Sequence, residues 1–266
     1  MSQWSSADVS VRGVRIHYHR TGGDGPPVVL MHGFSDSGLC WTRLATDLQR
    51  DYDLIMPDAR GHGLSDGPGA DFSPRDRSED IAGLILALGL ERPALAGHSM
   101  GAMMASEIAA DHPQLARCAI LEDPPWRDVT PASSPPNRFM QLAQLKELSR
   151  EELIAHCHQM NPAWHELEVE PWADAKMQFN LALVASGPLP GLRPWRPVAE
   201  RLECPVLLIT ADPERGAIVT PDVARDASGL MRDGRVVRLP GAGHNIRREC
   251  YEPFKDEVAT FLRNTG

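Results

Sequence analysis

The chain has 266 residues, with 27 Lys and Arg against 36 Asp and Glu, and a formal net charge of −9. Its hydrophobic fraction of 42%, with 24% charged residues, is typical of a globular protein with a substantial core and excludes an intrinsically disordered chain. Because the chain is acidic and has no run of Lys and Arg, nucleic acid and anionic membrane surfaces are poor partners for it.

Short apolar runs alternate with helical patterns along most of the chain. Two segments on either side of Gly13 predict a hairpin, and the continuous apolar run that follows is typical of a buried strand. In chain order, the predicted strands are 9–11, 15–19, 28–31, 54–56, 94–96, 118–121, 206–210 and 235–239, and the clearest helices between them are 76–90 and 100–111. Strands that alternate with helices imply a parallel sheet with helices on both faces.

A nucleophile motif stands between the strand 94–96 and the helix 100–111. The segment Gly97-His98-Ser99-Met100-Gly101 matches G-x-S-x-G, which needs a strand before it and a helix after it. Only small residues fit two positions from a serine on such a sharp turn. The helix N-terminus below it supplies N–H groups and a dipole that favour developing negative charge. The motif therefore predicts Ser99 as a catalytic nucleophile.

The serine hydroxyl is a weak nucleophile and needs a base. His244 follows the last predicted strand in the segment Gly241-Ala242-Gly243-His244, whose glycines leave room for a tight loop. It is the predicted base. His156 and His158 are two residues apart in a helical segment, so they point to different faces and predict no metal site.

Backbone N–H groups near this serine are candidates for an oxyanion hole. Acyl transfer places negative charge on the substrate carbonyl oxygen, and prepositioned N–H groups stabilise it. The N–H of Met100 follows the nucleophile directly, and the N–H of Phe34 follows His32-Gly33 at the end of the strand 28–31. These two groups are the predicted oxyanion donors.

The alternation breaks over residues 124–203, a stretch that we call the helical insertion. It is rich in proline, has helical patterns near 138–158 and 170–185, and holds four of the six tryptophans. Ligands of open α/β sheets bind at the carboxyl ends of the strands, where such an insertion forms a lid or a plain structural cover. The aromatic residues that either line an apolar substrate pocket or form the insertion's own core are Trp126, Phe139, Trp164 and Trp172.

Four segments in this order resemble the α/β-hydrolase superfamily, over nearly the whole chain. They are Val28-Val29-Leu30-Met31-His32-Gly33-Phe34, Pro57-Asp58-Ala59-Arg60-Gly61-His62-Gly63-Leu64-Ser65, Ala96-Gly97-His98-Ser99-Met100-Gly101 and Gly241-Ala242-Gly243-His244. The resemblance implies an α/β-hydrolase fold with a mostly parallel eight-stranded sheet. It also implies a helical cap after strand 6, so that 1–123 and 204–266 form the core and 124–203 the cap, and no cofactor or metal. Relatives that cleave haloalkanes or epoxides carry an aspartate in place of Ser99.

The acid that orients His244 is open between two places. The resemblance implies a carboxylate a few residues after strand 7, where Glu214 stands at the expected offset and Asp212 is the local rival. Some relatives take the acid from the end of strand 6 instead, where Glu122 and Asp123 stand. We favour Glu214.

The predicted function is hydrolysis of a carboxylic ester or lactone through an acyl-enzyme on Ser99. The alternatives are hydrolysis of a carbon–carbon bond in a vinylogous diketone, cofactor-free perhydrolysis, and ligand binding without catalysis. We expect a small-molecule substrate and a monomer or homodimer. The five scattered cysteines indicate no disulfide framework, the first ten residues carry no signal pattern, and the longest apolar run is too short to span a bilayer. The expected compartment is the cytoplasm.

Overall fold

The computed structural model describes residues 4–127, 138–185 and 193–266. Its eight strands form one sheet in the order β1-β2-β4-β3-β5-β6-β7-β8. They are β1 Ser5–Val11, β2 Val14–Arg20, β3 Pro27–Met31, β4 Asp53–Pro57, β5 Ala94–His98, β6 Cys118–Glu122, β7 Val206–Thr210 and β8 Gly234–Arg238. Strand β2 is antiparallel to β1 and β4, and all other pairs are parallel. The predicted eight-stranded, mostly parallel sheet is confirmed.

Helices connect the strands and cover the sheet. They are α1 Thr42–Leu48, α2 Pro74–Ala87, α3 Met100–Asp111, α4 Arg138–Lys146, α5 Arg150–Met160, α6 Glu166–Gln178, α7 Ala182–Ala185, α8 Trp195–Ala199, α9 Pro221–Leu230, α10 Ile246–Glu249 and α11 Tyr251–Asn264. None of the helices in the described ranges is long and apolar enough to cross a membrane.

The core lies on both faces of the sheet because successive side chains of a strand point to opposite sides. In β3, Val29 and Met31 belong to one apolar cluster, while Val28 and Leu30 belong to the other. All four are at most 1% exposed. A strand that is buried on both faces has no polar positions, which explains the continuous apolar run in its sequence.

One predicted helix begins earlier in the structure, and one predicted helical segment is divided into two helices. Helix α2 begins two residues before the predicted start, because Ser73 caps it and the Asp76 carboxylate accepts a hydrogen bond from the Ser73 N–H at 2.8 Å. The helical pattern near 170–185 belongs to two helices, α6 and α7, which Asn180 separates.

The helical insertion follows β6 and returns to the sheet at β7. Helices α4 to α8 belong to it, and α5 and α6 share an apolar cluster built on Cys157, Trp164 and Val169. The insertion therefore leaves the sheet at the carboxyl end of β6 and rejoins it at the amino end of β7. The division into a core of 1–123 and 204–266 and a cap of 124–203 stays a prediction.

Candidate active site

Ser99 lies between the end of β5 and the start of α3 with φ 52° and ψ −112°. A left-handed φ on a residue with a side chain costs about 1–3 kcal/mol and persists only where the surroundings hold it. Its own N–H donates to the Glu122 carbonyl at 2.9 Å, and its carbonyl accepts from the Met103 N–H at 3.0 Å. The turn is thus held from both sides, with the serine at its tip.

The two glycines of the motif allow the strand and the helix to approach each other. A Cβ on Gly97 would lie 2.2 Å from the Gly101 carbonyl carbon, and a Cβ on Gly101 would lie 2.0 Å from the Met31 carbonyl oxygen. Neither neighbour can move, since both are backbone atoms. A side chain at either position would therefore collide with the backbone, which is why the motif requires small residues there.

His244 is held by a carboxylate from the end of β6. Its Nδ1 lies 2.6 Å from Oδ2 of Asp123, whose side chain is fully buried. Both Asp123 oxygens also accept backbone hydrogen bonds, from Ile218 N–H at 2.8 Å and from Val219 N–H at 2.9 Å. A carboxylate can only accept, so Nδ1 carries the proton and Nε2 is left as the basic nitrogen.

The prediction of Glu214 as the partner of His244 is wrong. The Glu214 side chain is 71% exposed, and its nearest charged neighbour is Arg238 at 4.0 Å. Asp212, the local rival, accepts instead from the Gly241 N–H at 2.8 Å and from Arg238 at 2.7 Å. It therefore anchors the start of the loop 239–245, which we call the histidine loop.

Glu122 and Asp123 are neighbours in sequence but serve different groups. Glu122 accepts from the Arg247 N–H at 2.8 Å and from the Arg247 guanidinium at 3.3 Å. Burial raises the pKa of Glu122. Of the four candidate carboxylates, Asp123 is the one that contacts the histidine.

Ser99 and His244 line the same cavity of about 220 Å³. Phe34, Trp164 and Trp172 line it as well, so the helical insertion supplies part of its wall. Three of the residues predicted from the sequence to contact substrate or oxyanion thus lie at this cavity.

Two other predicted pocket residues have a different status. Trp126 is 2% exposed and stacks on Trp195 in the core, with 5.3 Å between ring centroids, so its assignment to the pocket is corrected. Its ring belongs to the same apolar cluster as Met103 of α3 and Val198 of α8. Phe139 belongs to α4, but its side chain lies outside the described residues.

The segment 32–36, which we call the oxyanion loop, forms a tight turn beside Ser99. The Gly33 carbonyl accepts from the Asp36 N–H at 3.1 Å and from His32 Nδ1 at 2.8 Å. In a trans peptide the N–H points away from the carbonyl, so these bonds fix the direction of the Phe34 N–H. Met100 is the first residue of α3, where N–H groups have no partner within the helix.

His98, which directly precedes Ser99, joins the end of β5 to the histidine loop. Its Nε2 donates to the His244 carbonyl at 2.9 Å, and the two imidazole rings lie 4.7 Å apart between centroids. On the other side, a Cβ on Gly33 would lie 2.6 Å from His98 Nδ1. His98 therefore packs between the oxyanion loop and the histidine loop.

A buried ion network that the sequence did not predict borders the cavity. Lys176 lies 3.1 Å from Asp36, and Arg248 lies 3.1 Å from both Asp36 and Glu168. Burial disfavours the charged form of Asp36, but Arg248 and Lys176 hold the pKa of its carboxyl well below its ordinary value. The partners are 140 and 212 residues apart in sequence, so no local pattern could have paired them.

Three buried histidines predict a pH-dependent stability. Burial lowers the pKa of His32, and it lowers the pKa values of His62 and His98 well below their ordinary value. Below about pH 6.5 these imidazoles bind protons in the unfolded chain but stay neutral in the folded protein. As the pH falls through this range, the free energy of unfolding is expected to decrease by up to about 1.4 kcal/mol per pH unit for each histidine. Urea unfolding between pH 7.5 and 5.5 measures this slope.

A His62→Gln variant separates this effect from other titrating groups. Its free energy of unfolding is expected to depend less steeply on pH than that of the unsubstituted protein, because one histidine that binds a proton only in the unfolded chain has been removed. His158→Gln is the matched control, since the His158 side chain is 40% exposed. Equal slopes in the His62→Gln and unsubstituted proteins would contradict the prediction.

The sequence is similar to a known protein family and to characterised relatives. The sequence profile described as the alpha/beta hydrolase family matches residues 28–257. The 2-(acetamidomethylene)succinate hydrolase of Mesorhizobium japonicum is 36% identical over 252 residues, which cover 91% of this chain and 90% of that protein. The N-formylmaleamate deformylase of Pseudomonas putida is 26% identical, with 97% of this chain and 96% of that protein covered.

Solved structures agree on the fold. The naproxen esterase of Bacillus subtilis superposes with a TM-score of 0.77 over 98% of this chain and 92% of that chain, at 20% identity. The match shows that this chain shares the fold of that structure.

Proposed function

Since the chain belongs to the alpha/beta hydrolase family, we propose that it is a serine hydrolase that cleaves small acyl compounds through an acyl-enzyme on Ser99. The observation that carries the proposal is a single arrangement. Ser99 and His244 face one cavity, and the Asp123 carboxylate lies 2.6 Å from the far nitrogen of His244. Nucleophile, orienting acid and base follow one another in this order in the chain, as Ser99, Asp123 and His244.

In the first half of the reaction, Ser99 Oγ attacks the acyl carbon while His244 Nε2 takes the hydroxyl proton. The Asp123 carboxylate stabilises the imidazolium that forms. The N–H groups of Phe34 and Met100 donate to the oxyanion of the tetrahedral intermediate. The intermediate collapses as the bond to the leaving group breaks, and His244 returns the proton to that group.

In the second half, His244 takes a proton from water, and the resulting hydroxide attacks the acyl-enzyme. A second tetrahedral intermediate uses the same N–H donors. Its collapse releases the carboxylic acid and restores the Ser99 hydroxyl. We expect the helical insertion to act as a cap in both halves, because it supplies Trp164 and Trp172 to the wall of the cavity.

An ester or lactone is the substrate class that the sequence motifs favour. A cavity of about 220 Å³ suits a small acyl compound better than a long acyl chain. An acyl–nitrogen bond is the second candidate, and the relatives in Mesorhizobium japonicum and Pseudomonas putida support it, since their names describe small N-acylated acids. Both classes require the same nucleophile and oxyanion donors.

A substrate panel and an active-site label test the proposal together. We expect a fluorophosphonate to add once per chain at Ser99, as mass spectrometry of the digest would show. Turnover is then measured on short p-nitrophenyl esters, lactones and N-acyl enamides with and without a carboxylate. Absence of the Ser99 adduct would refute the acyl-enzyme and favour ligand binding without catalysis.

The remaining alternatives give different signals in the same panel. Hydrolysis of a vinylogous diketone would consume a coloured ring-cleavage product faster than any ester. Perhydrolysis would require peroxide and produce halogenation. Neither is expected to exceed the rate on the best acyl substrate.

A further inference from the structure

Lys176 reaches from the helical insertion into the oxyanion loop. It belongs to α6 and is 5% exposed. Within the described residues, all hydrogen bonds of its ammonium group go to the oxyanion loop. Its Nζ donates to the Ser35 carbonyl at 2.6 Å, to Ser35 Oγ at 3.0 Å and to Asp36 Oδ1 at 3.1 Å. An ammonium has three protons, and these contacts use all of them.

The loop conformation needs such an external partner. Ser35 has φ +66°, a left-handed conformation that costs a residue with a side chain free energy. Ser35 stands between Phe34, the proposed oxyanion donor, and Asp36, whose N–H closes the turn on the Gly33 carbonyl at 3.1 Å. Contacts that fix Ser35 and Asp36 therefore fix the peptide that carries the Phe34 N–H.

The Lys176 ammonium group belongs to a larger network of buried ion pairs. Asp36 also receives Arg248 at 3.1 Å and lies 3.7 Å from Arg247. Arg248 in turn bonds Glu168, which belongs to α6 like Lys176. The insertion, the oxyanion loop and the helix after the histidine loop thus share one buried network.

From these contacts we infer that Lys176 is a positioning residue: it holds the oxyanion loop so that the Phe34 N–H is directed at the substrate oxyanion. The inference rests on the proposed function and deepens it. Assembly of the oxyanion hole then depends on docking of the helical insertion, because the insertion supplies the ammonium. A cap that is displaced leaves Ser99 and His244 in place but removes the support of one oxyanion donor.

Phosphonylation of Ser99 tests the inference without a known substrate. A fluorophosphonate forms the Ser99 Oγ–phosphorus bond as fluoride leaves and His244 takes the hydroxyl proton, with the phosphoryl oxygen in the oxyanion hole. Lys176→Met is expected to lower the maximal labelling rate by about 10²-fold, the typical effect of losing one oxyanion donor, with the half-saturating concentration unchanged. A change confined to the half-saturating concentration would overturn the inference.

Lys146→Met is the matched control within the insertion. Lys146 donates to the carbonyls of Met177 at 3.0 Å and Phe179 at 2.6 Å, so it stabilises the end of α6, the helix of Lys176, and makes neither of these hydrogen bonds to the oxyanion loop. Its labelling rate is expected to stay within about twofold of the unsubstituted protein. Equal losses in both variants would show a general effect of the insertion and overturn the inference.

The experiment distinguishes a failure of the proposed function from a failure of the inference about Lys176. If the unsubstituted protein is not labelled at Ser99, the proposed function fails, whatever the lysine variants do. If Lys176→Met does not fold, as circular dichroism would show, Lys176→Arg is measured, since it keeps the buried charge but cannot reproduce the three ammonium contacts. A folded Lys176→Arg protein with an unchanged maximal labelling rate would overturn the inference.

Discussion

Replacing Ser99 with alanine is expected to lower kcat by about 10⁴-fold or more while the fold is retained. The substitution removes one oxygen atom, which is the nucleophile, and leaves the backbone bonds from Ser99 to Glu122 and Met103 in place. What remains is substrate binding and oxyanion stabilisation, which cannot form the acyl-enzyme. The measurement is turnover on the best substrate of the panel, with thermal unfolding and circular dichroism as checks of folding.

Ser106→Ala provides the comparison for this variant. Ser106 lies in α3, the helix that follows Ser99, is fully buried, and donates to the Met103 carbonyl at 2.7 Å. Its loss is expected to affect stability by about 1 kcal/mol and kcat hardly at all. A Ser99→Ala protein that retains more than about a hundredth of the original kcat would contradict the acyl-enzyme, since the effect of losing a nucleophile is larger than that.

The features that the sequence predicted are those with local causes. Burial on both faces makes a strand continuously apolar, and a sharp turn between strand and helix admits only glycine at two positions, so β3 and the Ser99 turn were readable as patterns. His244 was found because its loop directly follows the last strand. Each of these signals is contained within about ten residues.

The acid could not be read in the same way. Four carboxylates stand at the ends of β6 and β7, and all of them are compatible with the local pattern. Asp123 contacts His244 because it takes φ 41° directly after β6 and because Ile218 and Val219, some 95 residues later, donate to it. The choice is made by packing between distant segments, as is the pairing of Lys176 with Asp36.

Asp123→Asn is expected to lower kcat by about 10⁴-fold with little change in folding. Asp123 Oδ1 accepts from the backbone N–H groups of Val219 and Ile218, at 2.9 and 3.1 Å, and Oδ2 faces His244 and also accepts from the Ile218 N–H at 2.8 Å. In the variant the amide oxygen is expected to take the Oδ1 position and keep the backbone bonds made there, which places the NH₂ group against His244 Nδ1. That nitrogen must then accept, so Nε2 carries the proton and cannot take one from Ser99.

Glu214→Gln is the control for this experiment, because Glu214 stands at the position where the family pattern places the acid. Its exposed side chain does not reach the histidine, so its kcat is expected to stay within about twofold. Stopped turnover in Asp123→Asn with normal turnover in Glu214→Gln would assign the orienting acid to the end of β6. The reverse result would mean that the histidine loop rearranges in solution, since Glu214 could reach His244 only if the Asp123 contact of 2.6 Å were broken.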